Sequence, residues 1–278
     1  MKIGFNLLLW TTHLDTSLVP TLRALKSAGY DGVEVPVFGG DVAYYGRMKA
    51  MLDDEGLAST VVAIVQDEAR NPLSAANEAA GVDYLRWLVD CAVALGAEVL
   101  AGPFYQPLGV FSGYPLTDTE WQRLIRTQTA MADHAGEAIT LAVEPLNRFE
   151  CYALNTCARA AELVQAVNRP NYGYLFDTFH SNIEERDPVA ALAATMHQVS
   201  HIHISENDRG TPGRGHAPIL PAIAAARAGD YDGWLTVEAF GHALPDIAAA
   251  TRVWRPLFTS TDDVITEAIA LIRRGLVA

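Results

Sequence analysis

Short apolar runs alternate with longer segments of helical period along the chain, and this alternation restricts the possible folds more than any other feature of the sequence. Eight of the runs have the length and the β-branched or aromatic content of buried strands. They read KIGFNLLLW, GVEVPVF, STVVAIV, EVLAGPF, TLAVEPL, YGYLFDT, SHIHIS and WLTVEAF. The segments between them predict helices over residues 18–28, 75–95, 118–137, 158–167, 188–198 and 218–228. The order is therefore a strand followed by a helix, repeated.

Glycine marks the end of several of these helices, just before the next strand. The segments SAGYDGVEV, DEGLASTVV, ALGAEVLAG and RAGDYDGWLTVEA each contain such a glycine, and glycine in the left-handed conformation satisfies the last carbonyls of a helix. No linker, charge block or low-complexity tract interrupts the repeat. We therefore predict one domain over residues 1–278 with the (β/α)8 TIM barrel fold, and keep a doubly wound parallel sheet as the alternative.

Composition excludes several classes of partner. Half of the residues are hydrophobic and 19% are charged, which provides enough apolar material for a large core. The 33 acidic residues outnumber the 20 basic ones, so the backbone of a nucleic acid would be repelled. The first apolar run is too short for a signal peptide, and no run has the length of a membrane span. We expect a soluble cytoplasmic protein whose three cysteines are free thiols.

Polar residues occur where four of the predicted strands end. The fifth run reaches Glu144, the sixth reaches Asp177, the seventh contains His203 near its end, and the eighth reaches Glu238. Active sites of (β/α)8 barrels form at the carboxyl ends of the strands. Three carboxylates and one imidazole make a mostly oxygen site that suits Mn²⁺ or Mg²⁺ and also admits Co²⁺. We predict that these four residues bind one divalent ion; the alternative is that each is satisfied separately by a salt bridge or a backbone donor.

Three further polar residues follow the same strands. Glu150 comes after the fifth strand, His180 after the sixth, and Arg209 after the seventh. Each residue taken singly is typical of a solvated loop. Their association with the four strand-end residues makes them candidates for binding a substrate.

Four segments in the second half of the chain carry a family resemblance. EPLNRFE, FDTFHSNIEE, HIHISENDR and VEAF, in this order and spacing, resemble the D-tagatose 3-epimerase and D-allulose (D-psicose) 3-epimerase family of ketose 3-epimerases, a member of the xylose-isomerase-like group of (β/α)8 barrels. The resemblance covers nearly the whole chain and is sharpest from Glu144 to Phe240. It is weaker in the N-terminal half, where Asn6 and LLLW occupy positions that are often aromatic in relatives and where the strands shape the far end of the sugar pocket.

The resemblance implies a role for each of these polar residues. Glu144, Asp177, His203 and Glu238 would bind one divalent ion per subunit, with Mn²⁺ expected before Mg²⁺ or Co²⁺. Glu144 and Glu238 would also be the catalytic pair, while Glu150, His180 and Arg209 would bind the substrate. That substrate would be a free ketose such as D-tagatose, D-allulose, D-fructose or L-ribulose, and the protein a homodimer or homotetramer.

The implied chemistry agrees with the residue types. Inversion of a carbon next to a ketone removes a weakly acidic proton and returns one to the opposite face, which calls for two bases. A metal ion can stabilise the cis-enediolate as a Lewis acid. Glu144 and Glu238, on strands that flank the predicted site, could face the sugar from opposite sides.

Several rival functions remain open. Aldose–ketose isomerases, hydroxypyruvate isomerase and inosose dehydratase share similar metal residues, and NRFE together with TFHSNIEE favours the epimerase. An abasic-site endonuclease would need a His-rich zinc cluster and a basic surface, which this acidic chain lacks. Outside enzymes, a sugar-binding barrel without turnover is the alternative, although both glutamates of the pair are present.

Two features have alternative interpretations of their own. His201 lies on the same face of its strand as His203, so it could be a partner of that ligand rather than a ligand itself. The segment 209–218, RGTPGRGHAP, has the composition of an irregular connection. It either covers the site or is a plain surface loop.

Overall fold

The centre of the structure, a computed structural model that describes residues 1–277, is a closed barrel of eight parallel strands in sequence order. The strands are β1 (Lys2–Asn6), β2 (Gly32–Pro36), β3 (Ala58–Val62), β4 (Val99–Gly102), β5 (Thr140–Val143), β6 (Tyr172–Asp177), β7 (Val199–Ser205) and β8 (Trp234–Glu238). The barrel closes because β8 pairs with β1, for example through Leu235 and Ile3. The predicted (β/α)8 TIM barrel is confirmed.

Helices surround the barrel and cover its outer surface. Within residues 1–277 they are α1 (Val19–Ala28), α2 (Val42–Asp54), α3 (Glu78–Leu95), α4 (Asp118–Ala135), α5 (Cys157–Val167), α6 (Thr178–Glu184), α7 (Pro188–Thr195), α8 (Ile219–Ala228), α9 (Pro245–Thr251) and α10 (Thr261–Val277). Six of them correspond closely to the predicted helices, and α2, α6, α9 and α10 add to these. None of the helices in this part of the chain is both long enough and apolar enough to cross a bilayer.

Three of the four predicted glycine stops have the expected backbone conformation. Gly29, Gly56 and Gly96 have φ of 96°, 67° and 72°, in the left-handed region. The fourth prediction is wrong, because Gly229 has φ of −95°. There the chain turns one residue later, at Asp230 with φ of 55°.

The barrel and the helices enclose a continuous apolar core, which includes the three cysteines. Cys91, Cys151 and Cys157 are buried and free, as expected from their odd number. Close packing between strands makes small residues necessary at some positions. A methyl group on Gly32 would lie 2.4 Å from the carbonyl oxygen of Ala58 and 2.6 Å from the ring of Trp234.

We predict that Gly32→Ala lowers the free energy of unfolding by about 1–3 kcal/mol, because overpacking a tight site forces neighbouring atoms apart. The matched control is Gly46→Ala in α2, where an added methyl group meets no atom within 4 Å. That change should stabilise the protein by roughly 0.5–1 kcal/mol, since glycine is unfavourable inside a helix. Urea denaturation of both variants measures the effects, and equal stabilities for the two would refute the packing argument.

Candidate active site

The four polar residues predicted at strand ends lie together at the carboxyl end of the barrel. Glu144 follows β5, Asp177 ends β6, His203 lies in β7 and Glu238 ends β8. All four are buried, with at most 6% of their surface exposed. The parallel arrangement explains the convergence, because the ends of successive strands meet on one rim of the barrel.

A β-bulge in β7 sets which residue faces Asp177. Tyr174 pairs with Val199, but the next residue of β6 pairs with His201, so Ser200 is an extra residue in β7. Since neighbouring side chains of a strand point to opposite faces, a shift by one residue exchanges the inward and outward sets. As a result Asp177 is paired with His203 rather than with an isoleucine.

Nδ1 of His203 is the point at which the four side chains converge. It lies 3.6 Å from Oδ2 of Asp177 and 3.4 Å from Oε1 of Glu238. Donor atoms of Glu144, Asp177 and His203 lie within 4.8 Å of one another. Among residues 1–277, neither Nδ1 of His203 nor Oδ2 of Asp177 has a hydrogen-bond partner, although both atoms are buried. Buried polar atoms normally have a hydrogen-bond partner, so the hydrogen-bonding capacity of this cluster is only partly used.

Burial and neighbouring carboxylates raise the pKa values of Glu144 and Glu238, whereas the imidazoles of His203 and His180 outweigh burial and lower the pKa of Asp177. Burial raises the pKa of Glu144 well above its usual range, and the carboxylates of Glu238 and Asp177 add to the effect. Burial also raises the pKa of Glu238 to about 7. Burial disfavours the charged form of His203, but Glu34 and Glu238 outweigh it and raise the pKa of this imidazole well above its usual value. The cluster therefore favours positive charge at its centre.

This donor set fits a divalent cation. Carboxylate oxygens and an imidazole nitrogen are ligands that Mn²⁺, Mg²⁺ and Co²⁺ accept, and two of the buried donor atoms lack any other partner. A cation would also relieve the repulsion between the carboxylates. Glu144, Asp177, His203 and Glu238 could therefore hold such an ion together.

His180, at the start of α6, presents an N–H group toward Glu144. Its Nδ1 lies 3.0 Å from the backbone nitrogen of Asn147, and because a backbone N–H can only donate, Nδ1 is the acceptor. The proton of the neutral ring is then on Nε2, which lies 3.6 Å from Oε1 of Glu144. Burial lowers the pKa of His180 to about 4, which keeps the ring neutral near pH 7.

Arg209 is held on two sides. Its Nη2 donates to Oε1 of Glu150 over 2.7 Å, and the same oxygen accepts from Nδ2 of Asn147 over 2.9 Å. The guanidinium carbon lies 4.1 Å from the ring centre of Phe179 and 5.2 Å from that of Phe240. Arg209 also has φ of 64°, a strained backbone conformation that surrounding contacts must maintain. The structure thus fixes this cation at one position.

One pocket is lined both by charged or polar side chains, which we call its polar end, and by apolar side chains, which we call its apolar end. The polar end is lined by Glu144, Glu150, His180, Arg209 and Glu238. The apolar end is lined by Leu8, Phe38, Val62, Ile64, Leu108 and Ile247. Most of these apolar residues lie at or after the ends of β1 to β4.

The sequence analysis missed Glu34, a fully buried carboxylate in β2. Its Oε1 lies 2.7 Å from Nε2 of His203, and its Oε2 lies 2.9 Å from Nε2 of His201. Burial alone would raise the pKa of Glu34, but the two imidazoles outweigh it and hold the pKa well below its usual range. His201 and His203 therefore share the carboxylate of Glu34. The available signal was the carboxylate inside the apolar run GVEVPVF, the same signal that identified Glu144.

Comparisons with known proteins agree on one family. Residues 22–273 match the family described as xylose isomerase-like TIM barrel. A ketose 3-epimerase of Arthrobacter globiformis is 31% identical, and the match covers 100% of this chain and 98% of the relative. A probable ketose 3-epimerase of Synechocystis sp. is 30% identical, with 99% and 96% covered. The crystal structure of a D-allulose 3-epimerase from Methylomonas sp. in complex with D-allulose superposes with a TM-score of 0.91 at 28% identity, covering 99% of this chain and 96% of the other.

The connection after β7, residues 209–218, is anchored by a buried carboxylate. Arg209 lines the pocket, whereas residues before and after it form hydrogen bonds with Glu206. This side chain, 1% exposed, accepts hydrogen bonds from the backbone N–H groups of Asn207, Gly213 and Ala217 over 3.0, 2.8 and 2.8 Å. None of residues 210–218 lines the pocket. Beyond Arg209, the segment therefore fits the interpretation as a surface loop better than the interpretation as a cover over the site.

We predict that Glu206→Ala lowers the free energy of unfolding by at least about 2 kcal/mol, since one hydrogen bond to a charged group contributes roughly 1.5–3 kcal/mol. Amide hydrogen exchange should also become faster at Gly213 and Ala217. The control is Glu267→Ala, which removes the exposed ion pair with Arg214 of the same connection and should change stability by less than about 1 kcal/mol. Equal losses in the two variants would show that Glu206 does not organise the loop.

Proposed function

Because the chain belongs to the xylose isomerase-like TIM barrel family and, within it, to the ketose 3-epimerases, we propose that it inverts C3 of a free ketose with one divalent metal ion per subunit. Mn²⁺ is expected before Mg²⁺ or Co²⁺. The proposed metal ligands are Glu144, Asp177, His203 and Glu238. Glu144 and Glu238 would exchange protons with the substrate, and Glu150, His180 and Arg209 would bind it.

One observation carries the proposal. Two buried carboxyl groups, Glu144 and Glu238, line the same pocket, and between their strands lie two buried donor atoms that lack hydrogen-bond partners among residues 1–277. Those atoms, Oδ2 of Asp177 and Nδ1 of His203, are suitable ligands for a hard divalent ion. When bound, such an ion supplies Lewis-acid stabilisation of negative charge on oxygens of the substrate.

The two glutamates provide the proton transfers of the proposed reaction. One carboxylate takes the proton from C3, and the electron pair of the broken C–H bond moves into the enediolate. The other glutamate, which carries a proton, gives it to C3 from the opposite face. The product then has the inverted configuration, and the two side chains have exchanged protonation states. The reverse reaction uses them in the opposite order.

The remaining polar residues would orient the sugar. The Nε2–H group of His180 and the guanidinium of Arg209 are donors that can bind substrate oxygens on which charge develops. Glu150 fixes the guanidinium through the 2.7 Å hydrogen bond and can also accept a bond from a hydroxyl. These groups lie at the polar end of the pocket, where the C1 to C3 end of a ketose would be placed.

The polar groups that line the pocket and the names of the relatives support a ketose as the substrate. Sugar hydroxyls near C1 to C3 would find charged and polar partners, and the rest of the chain would meet the apolar end. The names of the relatives, which include ketose 3-epimerases and L-ribulose 3-epimerases, are consistent with this class. The crystallised Methylomonas relative contains D-allulose.

We also expect the protein to form a homodimer or a homotetramer. Tyr114, Phe149 and Trp254 are each at least 70% exposed, and exposed aromatic groups are often covered in an interface. Sedimentation velocity checks the expectation, and a monomer at micromolar concentration would contradict it.

We predict that D-fructose and D-tagatose, incubated in D₂O with metal-stripped protein, acquire deuterium at C3 only after Mn²⁺ or Mg²⁺ is added. NMR should show the C3 epimer appearing together with the label. Glu238→Gln should keep the fold and slow the C3 exchange by about 10²–10⁴-fold, the contribution typical of a general acid–base group.

The matched control is Glu98→Gln, the same substitution near the opposite end of β8, where Glu98 accepts a hydrogen bond from the indole of Trp234. This variant should exchange at the wild-type rate. Near-normal turnover of Glu238→Gln would refute the two-carboxylate mechanism. Deuterium at C1 with an aldose product would indicate an isomerase instead, and no exchange with any ketose would favour a dehydratase or a binding protein.

A further inference from the structure

The carboxylate of Glu34 is an unusual group to find in the middle of a strand. It is fully buried and lies on β2, which is two strands away from β8, the strand of the nearest proposed ligand, around the closed barrel. Its two oxygens contact side chains from three other strands. Oε1 lies 2.7 Å from Nε2 of His203 and 3.0 Å from Nδ2 of Asn6, and Oε2 lies 3.1 Å from Oγ1 of Thr60. An ionised carboxylate in such a place needs these donors.

The contact with His203 determines which of its ring nitrogens is available. An ionised carboxylate can only accept hydrogen bonds, so Nε2 of His203 carries a proton. An imidazole that binds a metal ion is neutral, with one N–H and one lone pair, so in that state the lone pair of His203 is on Nδ1. This is the buried atom without a hydrogen-bond partner that faces Asp177 and Glu238.

A second chain of contacts reaches Glu238. Nδ2 of Asn6 lies 3.0 Å from Oε1 of Glu34 and 3.2 Å from Oε1 of Glu238. The orientation of this amide is fixed, because Oδ1 of Asn6 accepts a hydrogen bond from the backbone nitrogen of Leu8 over 2.9 Å. Asn6 thus connects the two carboxylates with one amide group.

We infer that Glu34 is a positioning residue for the metal site: it fixes the tautomer and ring orientation of His203 directly and the carboxylate of Glu238 through Asn6. The inference rests on the proposed metal-dependent function. Outer partners of metal ligands act in this way in many sites, and their loss weakens metal binding by about 10–100-fold.

A different role for Glu34 is to bind a second ion. Glu34, His201 and His203 also offer donor atoms within 4.8 Å of one another. The observed contacts favour the positioning role, because both oxygens of Glu34 already accept from the amide of Asn6 and the hydroxyl of Thr60. The number of ions bound per chain separates the two roles.

The test measures metal affinity rather than turnover. Metal-stripped wild-type protein, Glu34→Gln and Glu98→Gln are titrated with Mn²⁺ by calorimetry after circular dichroism has shown that each is folded. Glu34→Gln should bind Mn²⁺ about 10–100-fold more weakly. Glu98→Gln, the same substitution at a partly exposed carboxylate that pairs with Lys2, should bind Mn²⁺ like the wild type and so controls for the loss of a carboxylate elsewhere in the protein.

A second measurement needs no variant and applies even if Glu34→Gln does not fold. Long-range ¹H–¹⁵N spectra of ¹⁵N-histidine-labelled wild-type protein, saturated with Mg²⁺, should show the ring proton of His203 on Nε2. A proton on Nδ1 overturns the inference, as do equal Mn²⁺ affinities of Glu34→Gln and wild type or two Mn²⁺ ions per wild-type chain. If the wild type binds no divalent ion, the proposed function fails, which is a separate result.

Discussion

Carboxylates buried at the centre of the barrel must be matched by donors or by a cation, and this requirement accounts for the arrangement of the polar residues there. Glu34 is matched by two histidines, an amide and a hydroxyl. One oxygen of Asp177 accepts from two backbone N–H groups at the start of α6, and Glu150 is matched by Arg209. Oδ2 of Asp177 and Nδ1 of His203 are among the buried atoms that remain without a hydrogen-bond partner within residues 1–277. At the candidate site, protein groups alone therefore do not complete the network.

The barrel gives this network its rigidity. Its members come from strands on opposite sides, so a side chain in β2 can support one in β7 across the interior. Close packing fixes the rotamers of such side chains, and well-supported ligands keep their geometry before a metal or substrate arrives. The aromatic rings around Arg209 have the same effect at the entrance of the pocket, where they limit the positions of a long side chain. The candidate site is therefore supported by residues such as Glu34 and Phe179, which do not line the pocket themselves.

Much of the fold and the positions of the strand-end residues could be predicted from the sequence. Strand and helix periods differ clearly, and glycine stops such as Gly29 and Gly96 reinforce the boundaries. Contacts across the barrel could not be predicted in the same way. The bulge at Ser200, which turns His203 toward Asp177, depends on pairing between strands. The partner of Glu34 depends on which side chains face it from strands far away in the chain, although its position in an apolar run already indicated that some partner was required.

The charged lining of the pocket comes from the second half of the chain, whereas much of its apolar lining comes from the first half, and this separation affects how such a protein can evolve. The charged groups belong to β5 to β8 and the turns that follow them, while Leu8, Phe38 and Ile64 follow the first three strands. A substitution at one of these apolar positions reshapes the space for the far end of a ligand without removing a donor from the charged end. Selection can therefore change which molecules fit in small steps and keep the reacting groups intact. Asn6 and Glu34 cannot be replaced in such small steps, because each forms hydrogen bonds with side chains of other strands. Those side chains would have to change as well.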